Sequence, residues 1–203
     1  MKNLGILLSG RGSNFEAIAR NVAVGQIPNA RISVVISNRT DAGGIETARR
    51  LGLTALTIPS KGKDRAEHDR EIAAALQRHK VDLVCLAGYM RLLSPWFVQQ
   101  FPHRILNIHP SLLPAFPGLE AQEQAFAYGV KASGCTVHLV DEELDHGAIV
   151  VQKTVPVLDS DNEHTLAARI LEQEHVAYSE AINIVLNGKY EIVGRRLVHK
   201  SPL

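Results

Sequence analysis

The strongest constraint on this chain's fold is its alternation of short apolar runs with helix-length segments. Apolar runs stand at Leu4–Leu8, Ile32–Ile36, Leu53–Ile58 and Val81–Leu86. Helical segments lie between them, at roughly Asn14–Val24, Gly44–Leu51 and Arg65–His79. In the third, Ala66, Ile72, Ala75 and Leu76 are expected on one buried face. Strand-helix-strand repetition at this spacing implies right-handed βαβ crossovers. It predicts an α/β fold with a mostly parallel twisted sheet and helices on both faces.

The pattern then changes. A strand at Arg104–Ile108 enters a proline-rich loop, HPSLLPAFPG, and a helix from Glu120 to Tyr128 follows. Two further strands are expected at Cys135–Val140 and Ala148–Val157, separated by the acidic, turn-like DEELDHG. A long helix from Asn162 to Leu186 meets a C-cap at Asn187-Gly188. The tail YEIVGRRLVHKSPL can add a short hairpin. With no repeat, linker or low-complexity tract, residues 1–203 are expected to form a single domain.

Composition excludes several classes. The formal net charge of +1 provides no general pull toward nucleic acid or anionic membrane, so any anion site must be local. Cys85 and Cys135 sit in apolar runs without CxxC spacing, as small hydrophobes do. The nine histidines show neither HxxxH nor HExxH spacing, so no metal is expected. No apolar stretch approaches the ~18 residues of a membrane span, and the N-terminus does not read as a signal peptide. A cytoplasmic protein is expected.

Four segments can carry chemistry. LSGRGSN, residues 8 to 14, follows the first strand and opens the first helix. Its glycines allow a tight turn, Ser13 and Asn14 can cap the helix, and the helix N-terminus favours an anion. A glycine turn with a serine cap and a phosphate site fit it equally. In NIHPSLLPAFPG, Asn107 and His109 stand two apart at a strand end, so alternation points both to one face. An amide can stabilise an oxyanion and an imidazole can move protons, although an Asn-His pair can also simply close a strand. Asp145 in DEELDHG is either a solvated turn residue or an acid facing His109, orienting it and favouring its charged form. AGYMRLLSPWF, residues 87 to 97, can hold a flat heterocycle with backbone hydrogen bonds and apolar walls, or serve as an ordinary helix entry.

Taken in order, LSGRGSN, AGYMRLLSPWF, NIHPSLLPAFPGL and GCTVHLVDEELDHG are far more specific than any one alone. Over nearly its full length the chain resembles the phosphoribosylglycinamide formyltransferase family, folate-dependent enzymes of purine synthesis. The resemblance implies direct transfer of a formyl group from 10-formyltetrahydrofolate, a co-substrate, to the amine of phosphoribosylglycinamide. It implies a nucleotide- and phosphate-binding N-terminal half and a folate-binding, catalytic C-terminal half.

By resemblance, Gly12, Ser13 and Asn14 would bind the substrate phosphate, and Leu171, Glu172, Gln173 and Glu174 would line its other end, with Glu174 at the glycinamide. Met90, Arg91, Leu92 and Leu93 would surround the pteridine, and Arg65 would contact the folate. Asn107 would polarise the formyl oxygen and His109 would act as the acid. Asp141, Glu142, Glu143, Leu144 and Asp145 would form a folate-contacting loop, with Asp145 also supporting His109. The chain departs from some relatives at Glu120 to Ala125, reading EAQEQA where they carry HxHRQA, so loop closure and its pH dependence can differ.

Partners are expected to be small molecules only, with no nucleic acid or membrane, and the protein a monomer or weak homodimer. Methionyl-tRNA formyltransferase shares the core but adds a tRNA-binding domain, which the 203-residue length and near-zero charge disfavour. Formyltetrahydrofolate deformylase adds an N-terminal domain, whereas the first strand here begins at Leu4. A non-catalytic binding module would not require Asn107, His109 and Asp145 together. A dinucleotide oxidoreductase would carry GxGxxG and a ribose-binding acid, and VVISNRTDAG has no clear one.

Overall fold

The computed structural model describes residues 1–200; the end of the expected tail hairpin, residues 201–203, lies outside them. The chain divides into two compact units, 1–107 and 108–203.

The first unit is the βαβ half. Strands β1 (Lys2–Leu8), β2 (Ala30–Ser37), β3 (Ala55–Thr57), β4 (Leu83–Leu86) and the start of β5 (Ile105–His109) lie in the order β3-β2-β1-β4-β5. Every neighbouring pair among them is parallel. The intervening helices are α1 (Ser13–Ala23), α2 (Gly43–Arg50), α3 (Arg65–Arg78) and α4 (Pro95–Gln100). A Cβ on Gly5 would meet Leu76 of α3, and a Cβ on Gly44 of α2 would meet Leu8. Gly5 and Leu8 are three apart in β1, so they face opposite sides. Helices therefore cover both faces, as the alternation predicted.

Two expectations need correction here. Ala66 is exposed, while the buried residues of α3 are His68, Asp69, Ile72, Ala73, Ala75 and Leu76. At 3.6 residues per turn Ala66 lies about 120° from Ile72, so the two cannot share a face. Neither Ser13 nor Asn14 caps α1. Gly12 is the N-cap in the left-handed region (φ 82), with no side-chain cap bond, and Ser13 is already helical. α3 and α4 do carry side-chain caps: Asp64 accepts from Glu67 N (2.8 Å) and Ser94 from Phe97 N (3.2 Å).

In the second unit, β6 (Ala132–Leu139) runs antiparallel to β7 (Ile149–Pro156). The tail forms a hairpin of β8 (Tyr190–Val193) and β9 (Arg196–His199), turning on Gly194 (φ 61), and β9 joins β7 in parallel. Helix α5 (Ala121–Tyr128) and the long α6 (Glu163–Asn187) complete the unit, with α6 packed on β6 and β7. Asn162 and Thr165 form a reciprocal capping box at the start of α6, and Gly188 (φ 68) ends it. The buried stripe Leu166, Ile170, Ala177, Tyr178 and Ala181 fixes which side of α6 faces the strands.

Candidate active site

In the second unit, His109 ends β5 and is 4% exposed. Asp145 leaves the turn after β6 with φ 49, a left-handed conformation that Asp tolerates better than most residues. That turn aims its carboxylate inward rather than to solvent. Oδ2 lies 3.4 Å from His109 Nδ1, and Gly118 N donates to the same oxygen at 2.8 Å. The other ring nitrogen of His109, Nε2, is 2.7 Å from the Phe116 carbonyl. Both nitrogens of His109 thus face oxygen atoms.

A second imidazole was not foreseen. His138 of β6 is almost fully buried, with Nε2 3.7 Å from Asp145 Oδ1. Burial alone would push the Asp145 carboxyl up. The nearby His138 and the Gly118 N–H bond, with the field of His109, outweigh that and hold it below the usual carboxylate range. A signal was present in GCTVHLV: Thr136 and His138 are two polar residues on one face of an otherwise apolar strand. Both are buried, and Thr136 Oγ donates to Ser111 O (2.7 Å) and accepts from Leu113 N (3.0 Å), fastening the loop beyond His109.

Asn107 is half-buried, two residues before His109 on β5, paired with Leu86 in the register of the first unit. In that unit Gly12, Ser13 and Asn14 line a cleft of about 660 Å³ together with Arg11, Arg39 and Met90. The first intrahelical bond of α1 runs from Glu16 N to Gly12 O, so the cleft opens on a helix N-terminus. Ser9 joins the cleft to the 88–94 segment: its hydroxyl donates to Asn38 Oδ1 (2.6 Å) and accepts from Met90 N (2.8 Å). Met90 and Leu92 are exposed, Arg91 and Leu93 half-buried, and Arg65 stands exposed at the first position of α3. Arg65 and Arg91 to Leu93 do not line the cleft.

The remaining expected residues lie in the second unit. Leu171 to Glu174 are mid-α6; Glu174 is 6% exposed while Glu172 faces solvent. Burial, and then Glu174, push the Cys135 thiol up to about 12, so this cysteine is a neutral core residue. Asp141 is tied to His146 (Oδ2 to Nδ1, 2.7 Å) and accepts from Glu143 N (3.0 Å), while Glu142, Glu143 and Leu144 are exposed.

The family model described as formyl transferase matches residues 2–182. The chain belongs to that family. Among its relatives, the Escherichia coli phosphoribosylglycinamide formyltransferase is 40% identical over 191 residues, 94% of this chain and 90% of that protein. The trifunctional purine biosynthetic protein adenosine-3 of Drosophila melanogaster is 44% identical over 92% of this chain, which spans only 14% of that protein's length. Glycinamide ribonucleotide transformylase 1 from Symbiobacterium toebii, a crystal structure, superposes with a TM-score of 0.95 at 50% identity, covering 99% of this chain and 95% of that one. The family and the fold are those that the resemblance implied. No helix of the described residues is long and apolar enough to cross a membrane.

Proposed function

We propose that this protein transfers a formyl group from 10-formyltetrahydrofolate to the amine of 5'-phosphoribosylglycinamide, a step of de novo purine synthesis. The observation that carries the proposal is the buried His109–Asp145 pair, two residues beyond Asn107 on β5. The amine nitrogen attacks the formyl carbon and a C–N bond forms. Negative charge grows on the formyl oxygen, where the Asn107 amide and the His109 ring N–H donate. The bond from carbon to the folate nitrogen then breaks, and the proton lost by the amine passes to that nitrogen through a water held by Asp145. His109 Nε2 is engaged with Phe116 O in this structure, so its proton must be redirected to the substrate oxygen.

The binding assignments follow the same reading. The helix N-terminus at Gly12, Ser13 and Asn14, with Arg11 beside it, suits a phosphate. The buried carboxylate of Glu174 suits the glycinamide end, with Leu171 to Gln173 beside it on α6. In Met90 to Leu93, Met90, Leu92 and Leu93 offer apolar surface for the pteridine beside Arg91, and Arg65 and the Asp141–Asp145 loop its further contacts. The continuous family match over residues 2–182 supports a single working domain. We place the enzyme in the cytoplasm, as a monomer or weak homodimer that needs no metal.

Consumption of 10-formyltetrahydrofolate by purified protein, with and without the ribonucleotide, tests the proposal alongside His109→Ala. Consumption that requires both the ribonucleotide and His109 is expected. Consumption without the ribonucleotide would instead indicate a deformylase. Asn107→Ala is expected to lower turnover by about 10²–10³, the typical loss of an oxyanion donor.

A further inference from the structure

Helix α3 buries a carboxylate for which the proposed chemistry has no use. Asp69 is fully buried, and its Oδ2 accepts from Ser94 N at 2.7 Å. Ser94 is the N-cap of α4 and closes the segment that begins at Gly88. Among the described residues the other oxygen, Oδ1, has no hydrogen-bond partner; neither has the Tyr89 hydroxyl nor Arg91 Nε, all three shielded from solvent. These groups feel one another. Burial, then the Asp69 field, raise the Tyr89 phenol, and Arg91 opposes them. Packing alone does not account for a carboxyl here, since an apolar side chain would fill the space without being stripped of water.

Beyond the Ser9 N–H that donates to Gly88 O (3.0 Å), the 88–94 segment is tied down at three further points. Ser94 N reaches Asp69, Arg91 donates to Lys63 O (3.3 Å), and Met90 N donates to Ser9 Oγ (2.8 Å). The Asp69 tie is the buried one of charged type, and its turn of α3 is itself fixed by His68 Nε2 on Ile58 O (2.8 Å). Between the ties, the side chains of Met90 (68% exposed) and Leu92 (52%) face outward. We propose that Asp69 is a positioning residue that sets the backbone of the Met90–Leu93 segment for the formyl donor, without touching the donor itself. The inference rests on the function proposed above.

Trp96, the chain's single tryptophan, makes the anchoring visible without any assay of activity. It sits on α4 two residues beyond Ser94 and is 40% exposed. The experiment compares the full-length wild type with Asp69→Ala and Asp69→Asn. It measures Trp96 emission and acrylamide quenching, and separate KM values for the formyl donor and the ribonucleotide.

Asp69→Ala leaves Ser94 N–H buried and unpaired, so the donor KM is expected to rise roughly tenfold or more, with the ribonucleotide KM within about twofold. Trp96 is expected to become more quenchable. Asp69→Asn keeps an oxygen for Ser94 N–H but buries an amide NH2 where the unpartnered Oδ1 stands. A donor-selective rise of roughly threefold is expected there, and this variant decides the matter if the alanine chain does not fold. A folded variant with an unchanged donor KM, or with both KM values raised by the same factor, would overturn the inference. If the wild type does not consume the donor, the proposed function fails instead. The Trp96 signal then still decides whether Asp69 anchors the segment, and unchanged quenching in Asp69→Ala would refute it.

Discussion

The Oδ2 atom of Asp145 lies 3.4 Å from Nδ1 of His109, and both side chains are more than nine-tenths buried. A carboxylate so enclosed persists because His109 and the Gly118 N–H meet one of its oxygens and His138 faces the other. Removing its charge should therefore affect both chemistry and acid stability. Asp145→Asn is expected to lower turnover by about 10²–10³ while the protein still folds.

The acid response of Asp145 has a definite sign. Its folded-state pKa is lowered, so its contribution is fully present above the unfolded value of about 4 and is lost as pH falls through the folded one. Urea midpoints of wild type and Asp145→Asn should differ most near neutral pH. The gap should narrow progressively below about pH 4. A gap that stays constant down to acid unfolding would mean the carboxylate contributes no charge-dependent stability.

His138 Nε2 stands 3.7 Å from the opposite carboxylate oxygen, so its loss should be felt through Asp145. Replacing it by alanine removes one neighbour of the carboxylate and is expected to cost roughly tenfold in turnover, less than Asp145→Asn. The double variant should lose little more than Asp145→Asn alone, because the two residues act through one carboxylate. Additive losses in steady-state kinetics would separate them.

Thr136 is the buried node under the proline loop, bonded to Ser111 O, Leu113 N and Gln152 Nε2. Thr136→Val keeps the shape but strands the Leu113 N–H. We expect a loss of about 1–3 kcal/mol in chemical unfolding, with turnover also reduced because the node fixes the loop after His109.

Arg195, in the hairpin turn beyond the family match, donates to the His146 carbonyl from both Nε (3.1 Å) and a terminal nitrogen (2.5 Å). His146 in turn holds Asp141. Arg195→Ala is expected to speed amide hydrogen exchange in residues 141–147 while exchange in β6 stays unchanged. Equal exchange in the loop would show that the hairpin does not brace it.

Much of this protein was legible along the chain because it depends on neighbours in sequence. Hydrophobic period located all the expected strands and helices to within a few residues, although the run Leu53–Ile58 yields only the short β3. Asn162 and Gly188 marked the ends of α6 because caps are local hydrogen-bond and φ requirements. The placing of Asn107 and His109 on one strand end likewise follows from alternation. Gly12 instead of Ser13 at the head of α1 shows the limit: a left-handed glycine moves a helix start by one residue, and composition does not report it.

What the sequence could not decide was burial of charge, which depends on residues far apart in the chain. Asp145 in an acidic turn reads along the chain either as solvated or as facing His109, and the tertiary structure, with a positive φ and two buried histidines beside it, has it turned inward. Nothing along the highly charged helical stretch around Asp69 marks it as buried, yet its carboxylate meets Ser94 N at 2.7 Å, 25 residues on. Local periodicity sets which elements form. Only the tertiary structure decides which polar groups lose their water, because desolvation and its compensating hydrogen bonds come from side chains that the sequence does not place side by side.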